Sequence, residues 1–251
     1  MALAAILILA LATLTTWVPG AVYPAALALF LFGTPHGAVM FRGGRAVLPS
    51  VSYAGLYVGS AFGMAALFLV APGMGLIGFF AISAIHFARA EADVHPAYGV
   101  FATFAAFLFS PERTADLIIA ILGDGGLNGD WMLVGGGIAV TALLIALFAP
   151  ETRRTLEAPS RLALTVAMFA FLHPLLAIAL YFFALHSVKE YLDLARDGAL
   201  RDAMPYGIPA AVGGALLYAL TANELLAVST AALVALAFTL PHMFDELRRA
   251  N

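Results

Sequence analysis

Cysteine is absent from the 251 residues, which excludes disulfides, thiolate metal ligands and a cysteine nucleophile. Charge is nearly as scarce: Asp, Glu, Lys and Arg make up 11% of the chain, against roughly a quarter in soluble domains. So few charges cannot cover a water-facing surface. The net charge of −3 also gives a nucleic acid no basic face to bind. Alternating ten-residue segments are missing, which argues against a β-barrel. No His-Glu-x-x-His, Gly-x-Ser-x-Gly or phosphate loop occurs. What is present is apolar: 63% hydrophobic residues and a mean hydropathy of +0.98. Apolar stretches of about 17–25 residues recur from end to end, the length a helix needs to cross hydrocarbon about 30 Å thick. The chain therefore reads as an all-α, polytopic transmembrane helix bundle. It has roughly eight to ten membrane segments in a single integral-membrane domain over residues 1–251.

Proline, glycine and charge clusters mark the spans. The first covers Ala2–Val18 and ends at Pro19-Gly20; with no Lys or Arg before its core, it reads as a span and not a cleaved leader. Then follow Val22–Met40, Ser50–Val70, Leu76–Ala92 and Pro96–Phe109. Ser110–Asp130 is the longest polar stretch, with a weak apolar segment at Leu117–Leu122. Trp131–Phe148 spans again, and Glu151–Arg161 reads as a charged loop. Leu162–Ala195 is too long for one pass and should break at Pro174. Tyr206–Leu220 and Glu224–Met243 close the series. The Gly43-Gly44 and Gly135-Gly136-Gly137 runs suit a turn and close helix packing.

Positive charge sorts the loops. Arg42, Arg45, Arg89, Arg153, Arg154, Arg161, Arg196, Arg201, Arg248 and Arg249 fall on one side, while Arg113 stands alone among acids on the other. The basic side is expected to be cytoplasmic, with both termini there, in a bacterial-type inner (plasma) membrane. Lipid is then the surrounding partner, and no nucleic-acid partner is expected.

Six histidines are present. His36, His86, His186 and His242 each lie near the end of a span, followed by an arginine of the basic set. The arginine pattern that sets the topology is independent of them, yet it puts all four toward one face, where they could converge on a metal ion. Intramembrane ionisable residues commonly mark such functional interiors. The plain alternative for each is a hydrogen bond between helices. His95, before Pro96, reads as a loop residue, and His173, before Pro174, as a structural one near the opposite face. Glu190 stands four residues after His186, on the same face of an α-helix, as a ligand or as a group that orients one. Glu91 and Asp93 read as solvated rim charges. A four-His set with open positions suits Fe(II), whereas zinc hydrolase sites usually hold three protein ligands and a water.

Gly33-Thr34-Pro35-His36-Gly37, Ser83-Ala84-Ile85-His86-Phe87, Leu185-His186-Ser187-Val188-Lys189 and Leu240-Pro241-His242-Met243 occur in that order. Together they resemble the Brp/Blh family of microbial membrane β-carotene 15,15′-dioxygenases, from about Gly33 to Met243. The resemblance implies a multi-helical membrane enzyme with histidine-bound iron. Such an enzyme cleaves β-carotene centrally with dioxygen to two retinals, often for a microbial rhodopsin. Two departures stand out. The family's aspartate three residues beyond the His-Gly pair is Met40 here, and the second histidine of its His-Ser-Leu-Arg-His motif is Glu190. The site is then His36, His86 and His186 with Glu190, or with His242 as the fourth ligand and Glu190 behind it. The apolar side chains Phe87, Phe169, Phe171, Tyr181, Phe182 and Phe183 flank the motifs and are candidate walls for the polyene. Two other classes remain open: a zinc-dependent membrane lipid hydrolase, and a transporter or non-catalytic carotenoid- or retinal-binding protein.

Overall fold

The computed structural model describes residues 2–33, 40–42, 45–47, 71–91, 95–122, 130–150 and 157–196, with isolated positions at 55, 59, 63, 66, 67, 70, 198, 201 and 212. The fold is helical. Its elements in order are α1 (Ala2–Trp17), α2 (Val22–Gly33), the strands β1 (Met40–Arg42) and β2 (Arg45–Val47), α3 (Pro72–Ala90) and α4 (Pro96–Phe109). There follow α5 (Pro111–Leu122), α6 (Asp130–Phe148), α7 (Glu157–Phe171), α8 (Pro174–Leu180), a π-helical segment (Tyr181–Ser187) and α9 (Val188–Arg196). Among the described residues, three helices are long and apolar enough to cross a membrane: Gly73–Ala90, Asp130–Phe148 and Pro174–Arg196. Shorter apolar helices are Ala4–Trp17, Val22–Gly33, Pro96–Phe109 and Ala158–Phe171. The protein is an all-α membrane protein.

Local chemistry explains the boundaries. Pro96 and Pro174 each occupy the first turn of a helix, where the missing N–H has no intrahelical partner to lose. The long apolar stretch accordingly breaks at Leu172-His173, as Pro174 demands. In α1 the hydroxyls of Thr13, Thr15 and Thr16 donate to the carbonyls of Leu9, Leu11 and Ala12 at 2.7–2.8 Å, which satisfies them without water. Two expectations change. The described part of the second span is a helix to Gly33, and Met40, its expected end, instead starts strand β1, whose register pairs Met40 with Val47, Phe41 with Ala46 and Arg42 with Arg45. The weak segment at Leu117–Leu122 belongs to a full helix, α5, opened by Pro111 with Glu112 in its first turn.

The described chain divides into two compact units. The first comprises Met1–Val22 and Pro72–Tyr181. Its centre is α4, against which α3, α6, α7 and α8 pack. On α6 the small residues Gly135, Ala139, Ala142 and Ala146 are buried while Leu133, Leu144, Leu147 and Phe148 are exposed. A soluble helix would bury the large residues. Here lipid takes them, and the small ones let helices approach closely. A Cβ on Gly135 would fall within 2.6 Å of the Phe107 ring of α4, so this glycine does serve close packing.

The second unit comprises Tyr23–Ala71 and Phe182–Asn251. Its described parts are most of α2, the β-ribbon, the rest of the π segment and α9. The expected spans Ser50–Val70, Tyr206–Leu220 and Glu224–Met243 lie largely outside the described residues.

Candidate metal centre

His86 sits in the last turns of α3 and is 2% exposed. Its ring lies 5.3 Å from that of Phe87, and Phe87 meets Tyr181 edge-on at 5.1 Å. The backbones of α3 and α4 approach closely just beyond the histidine: a Cβ on Gly99 would collide with the carbonyl group of Phe87 and the nitrogen of Ala88. Only glycine permits that approach. The next residue back, Tyr98, is fully buried, and its hydroxyl lies 2.7 Å from Thr165 Oγ1 on α7. Thr165 in turn donates to the carbonyl of Arg161 at 3.0 Å.

Glu91 is not a solvated rim charge. It lies one residue past α3 and pairs with Arg161 at 2.8 Å, the two side chains being 1% and 5% exposed. Arg161 likewise belongs to no loop, because α7 begins at Glu157 and carries it inside the first turns. Span-edge charges default to water when only the sequence is read. Here each supplies the counter-charge that makes burial of the other tolerable.

His186, also 2% exposed, lies in the π-helical segment of the second unit. π turns are rare and often accompany functional sites. Ser187 Oγ donates to the carbonyl of Phe182 five residues back, at 2.8 Å. Phe182 stacks obliquely on His186 at 5.8 Å and on Phe30 of α2 at 5.9 Å. Gly33, the first residue of the His36 motif, has no room for a Cβ, which would meet the Phe182 ring and, at 3.0 Å, Ser187 Oγ. Tyr191 of α9 donates to the carbonyl of Phe32 at 2.6 Å, tying the same two segments together. The end of α2, where the first histidine motif starts, is thus packed on the turn that bears His186.

Glu190 stands half-buried in the first turn of α9. The shared face expected for positions 186 and 190 assumed α-helical phase throughout. His186 instead belongs to a wider turn, and the offset crosses the π–α junction. His36 and His242 lie outside the described residues. Among the described residues, no three His, Asp or Glu side chains are grouped to hold a metal.

The other two histidines have local roles. His95 caps α4, its Nδ1 accepting the Ala97 N–H at 3.1 Å, as suits a residue before a helix-opening proline. His173 precedes α8 without a side-chain cap bond. Burial, and then the nearby charge of Arg113, hold its pKa below the ordinary 6.5. Of the apolar candidates, Phe169, Tyr181 and Phe182 are buried, Phe87 and Phe183 half-buried, and Phe171 is 74% exposed. Phe171 borders a cavity of about 500 Å³ with Thr15, Thr16, Arg113 and His173. The buried network of Glu91, Arg161, Tyr98 and Thr165 has little signature in the sequence beyond an acid and an arginine close to apolar runs.

The arrangement defines an all-helical membrane protein with buried imidazoles on two apolar segments. Imidazole nitrogens held away from water, with a half-buried carboxylate nearby in sequence, are donors that suit iron or zinc. The chain belongs to the beta-carotene 15,15'-dioxygenase family, whose profile matches residues 27–244. No curated protein and no solved structure matches it.

Proposed function

We propose that the chain is an Fe(II)-dependent dioxygenase that cleaves β-carotene, or a related carotenoid, at its central double bond. The observation that carries this reading is the burial of His86 and His186, each in one of the four ordered motifs that resemble the family's, within a chain that the family profile matches over residues 27–244. His36, His86 and His186 would hold the metal, with His242 or Glu190 as the fourth ligand. Bound iron would supply the electrons that let dioxygen react with a closed-shell polyene. The balance is simple: the central C=C breaks, and each oxygen atom of one O₂ becomes the carbonyl oxygen of one retinal.

The protein's own contribution is placement. A forty-carbon polyene dissolves in the bilayer, so an enzyme in the membrane can take it laterally. Phe87, Phe169, Phe171, Tyr181, Phe182 and Phe183 offer aromatic surface beside the histidine motifs to seat it. The length of the apolar path sets which bond lies next to the metal. We place the protein in a bacterial-type inner membrane with both termini cytoplasmic, and a microbial rhodopsin is a consumer of the product.

Expression in β-carotene-accumulating cells tests the reading: retinal should accumulate as β-carotene is lost. Folded, iron-loaded protein that makes no retinal would refute it. Bound zinc with ester or amide hydrolysis and no need for oxygen would instead support a lipid hydrolase.

A further inference from the structure

Three contacts hold α3 immediately after His86, all within the first unit. The Gly99 approach fixes how near α3 stands to α4. Phe87 and Glu91 are four residues apart and share a helical face; the Glu91 N–H bonds to the Phe87 carbonyl at 3.0 Å, which carries the α-helical phase through to Glu91. That face is held at one point by the edge contact of Phe87 with Tyr181 and at another by the ion pair of Glu91 with Arg161. The pair is itself anchored, since the Arg161 carbonyl accepts from Thr165 and the Thr165 hydroxyl meets Tyr98. His86 precedes Phe87 by one residue, about 100° around the helix. Any rotation of α3 therefore swings the imidazole.

A buried ion pair is a poor device for stability alone. Desolvation offsets its attraction, and apolar replacements of similar size are often no less stable. It does differ from an apolar contact in direction: a salt bridge between two fixed side chains tolerates little rotation of the helices that bear them.

We propose that the buried Glu91–Arg161 pair is a positioning element that sets the azimuth of α3 and so aims His86 at the metal. It rests on the metal-site reading above. In that reading neither residue is a ligand of the metal. Tyr98 and Thr165 act with the pair by holding the start of α7 in place.

The test is anaerobic titration of the purified full chain with Fe(II), and with Co(II) as a spectroscopic stand-in whose visible bands report coordination geometry. The double variant Glu91→Leu, Arg161→Met removes both charges together. It should unfold within a few degrees of the wild type, yet bind metal roughly tenfold more weakly, the scale seen when supports of metal ligands are lost, and with altered Co(II) bands. Unchanged affinity and unchanged bands in a folded double variant would overturn the proposal. If the double variant does not fold, Glu91→Asp takes its place with the same two outcomes, since it keeps both charges but shortens the tether on α3. Wild-type protein that binds neither ion would overturn the metal-site reading itself, a result distinguishable from the other.

Discussion

Ionisable side chains inside membrane helices commonly face functional interiors. His86 and His186 are each 2% exposed, and the proposed function makes both of them metal ligands. Replacing either by Ala should leave the helical circular-dichroism signal intact and sharply lower the iron bound per chain, as measured by elemental analysis. The fourth ligand separates in the same assay. If Glu190 is a ligand, Glu190→Gln loses metal and His242→Ala only tunes activity; if His242 is, the pattern reverses. Gly33, Gly99 and Gly135 each matter for want of room. Gly99→Ala drives a methyl group into the backbone of α3, which cannot yield as a side chain can. It should cost about 1–3 kcal/mol, the range for overpacked cores, read as a lower thermal midpoint. Gly135→Ala first meets the Phe107 ring, which can swing aside, and should cost less.

At the scale of elements, the π segment and the α7–α8 break are the informative pieces. The break was legible because proline announces itself: Pro174 lacks an N–H and crowds the carbonyl four residues back. The start of α4 was legible for the same reason at Pro96. The π segment was not, because Tyr181–Ser187 carries no residue type that separates π from α turns; it follows from packing, with Gly33 admitting Phe182 and Ser187 to the end of α2. Ser187→Ala should therefore cost about 1 kcal/mol, the net worth of one buried hydrogen bond, and loosen the turn that carries His186. At the break, His173 gives a pH dependence. Its folded pKa is depressed below 6.5 by burial and by Arg113. As pH falls through that value the unfolded chain binds a proton that the folded chain resists, so stability drops. Unfolding midpoints measured across that window should fall on acidification, and less so in His173→Gln.

For the whole molecule, composition alone was enough to read a helical membrane protein, because 11% charge leaves no water-facing surface to build. The inverted burial of α6, with alanine and glycine inside and leucine outside, is the structural counterpart of that number. The candidate ligands are proposed as a set from their order along the chain and from the shared depth expected of the topology. Their supports were not legible there: a glutamate and an arginine seventy residues apart give no local sign that they pair. The family profile matches residues 27–244, and the proposed function joins these readings to one chemistry. The most direct test is incubation of purified, iron-loaded protein with β-carotene in detergent under oxygen, with both products and gas followed. The account predicts two retinals formed and one O₂ consumed for each β-carotene lost, and no reaction under argon. β-Carotene left intact by folded, iron-loaded protein in oxygen would contradict it.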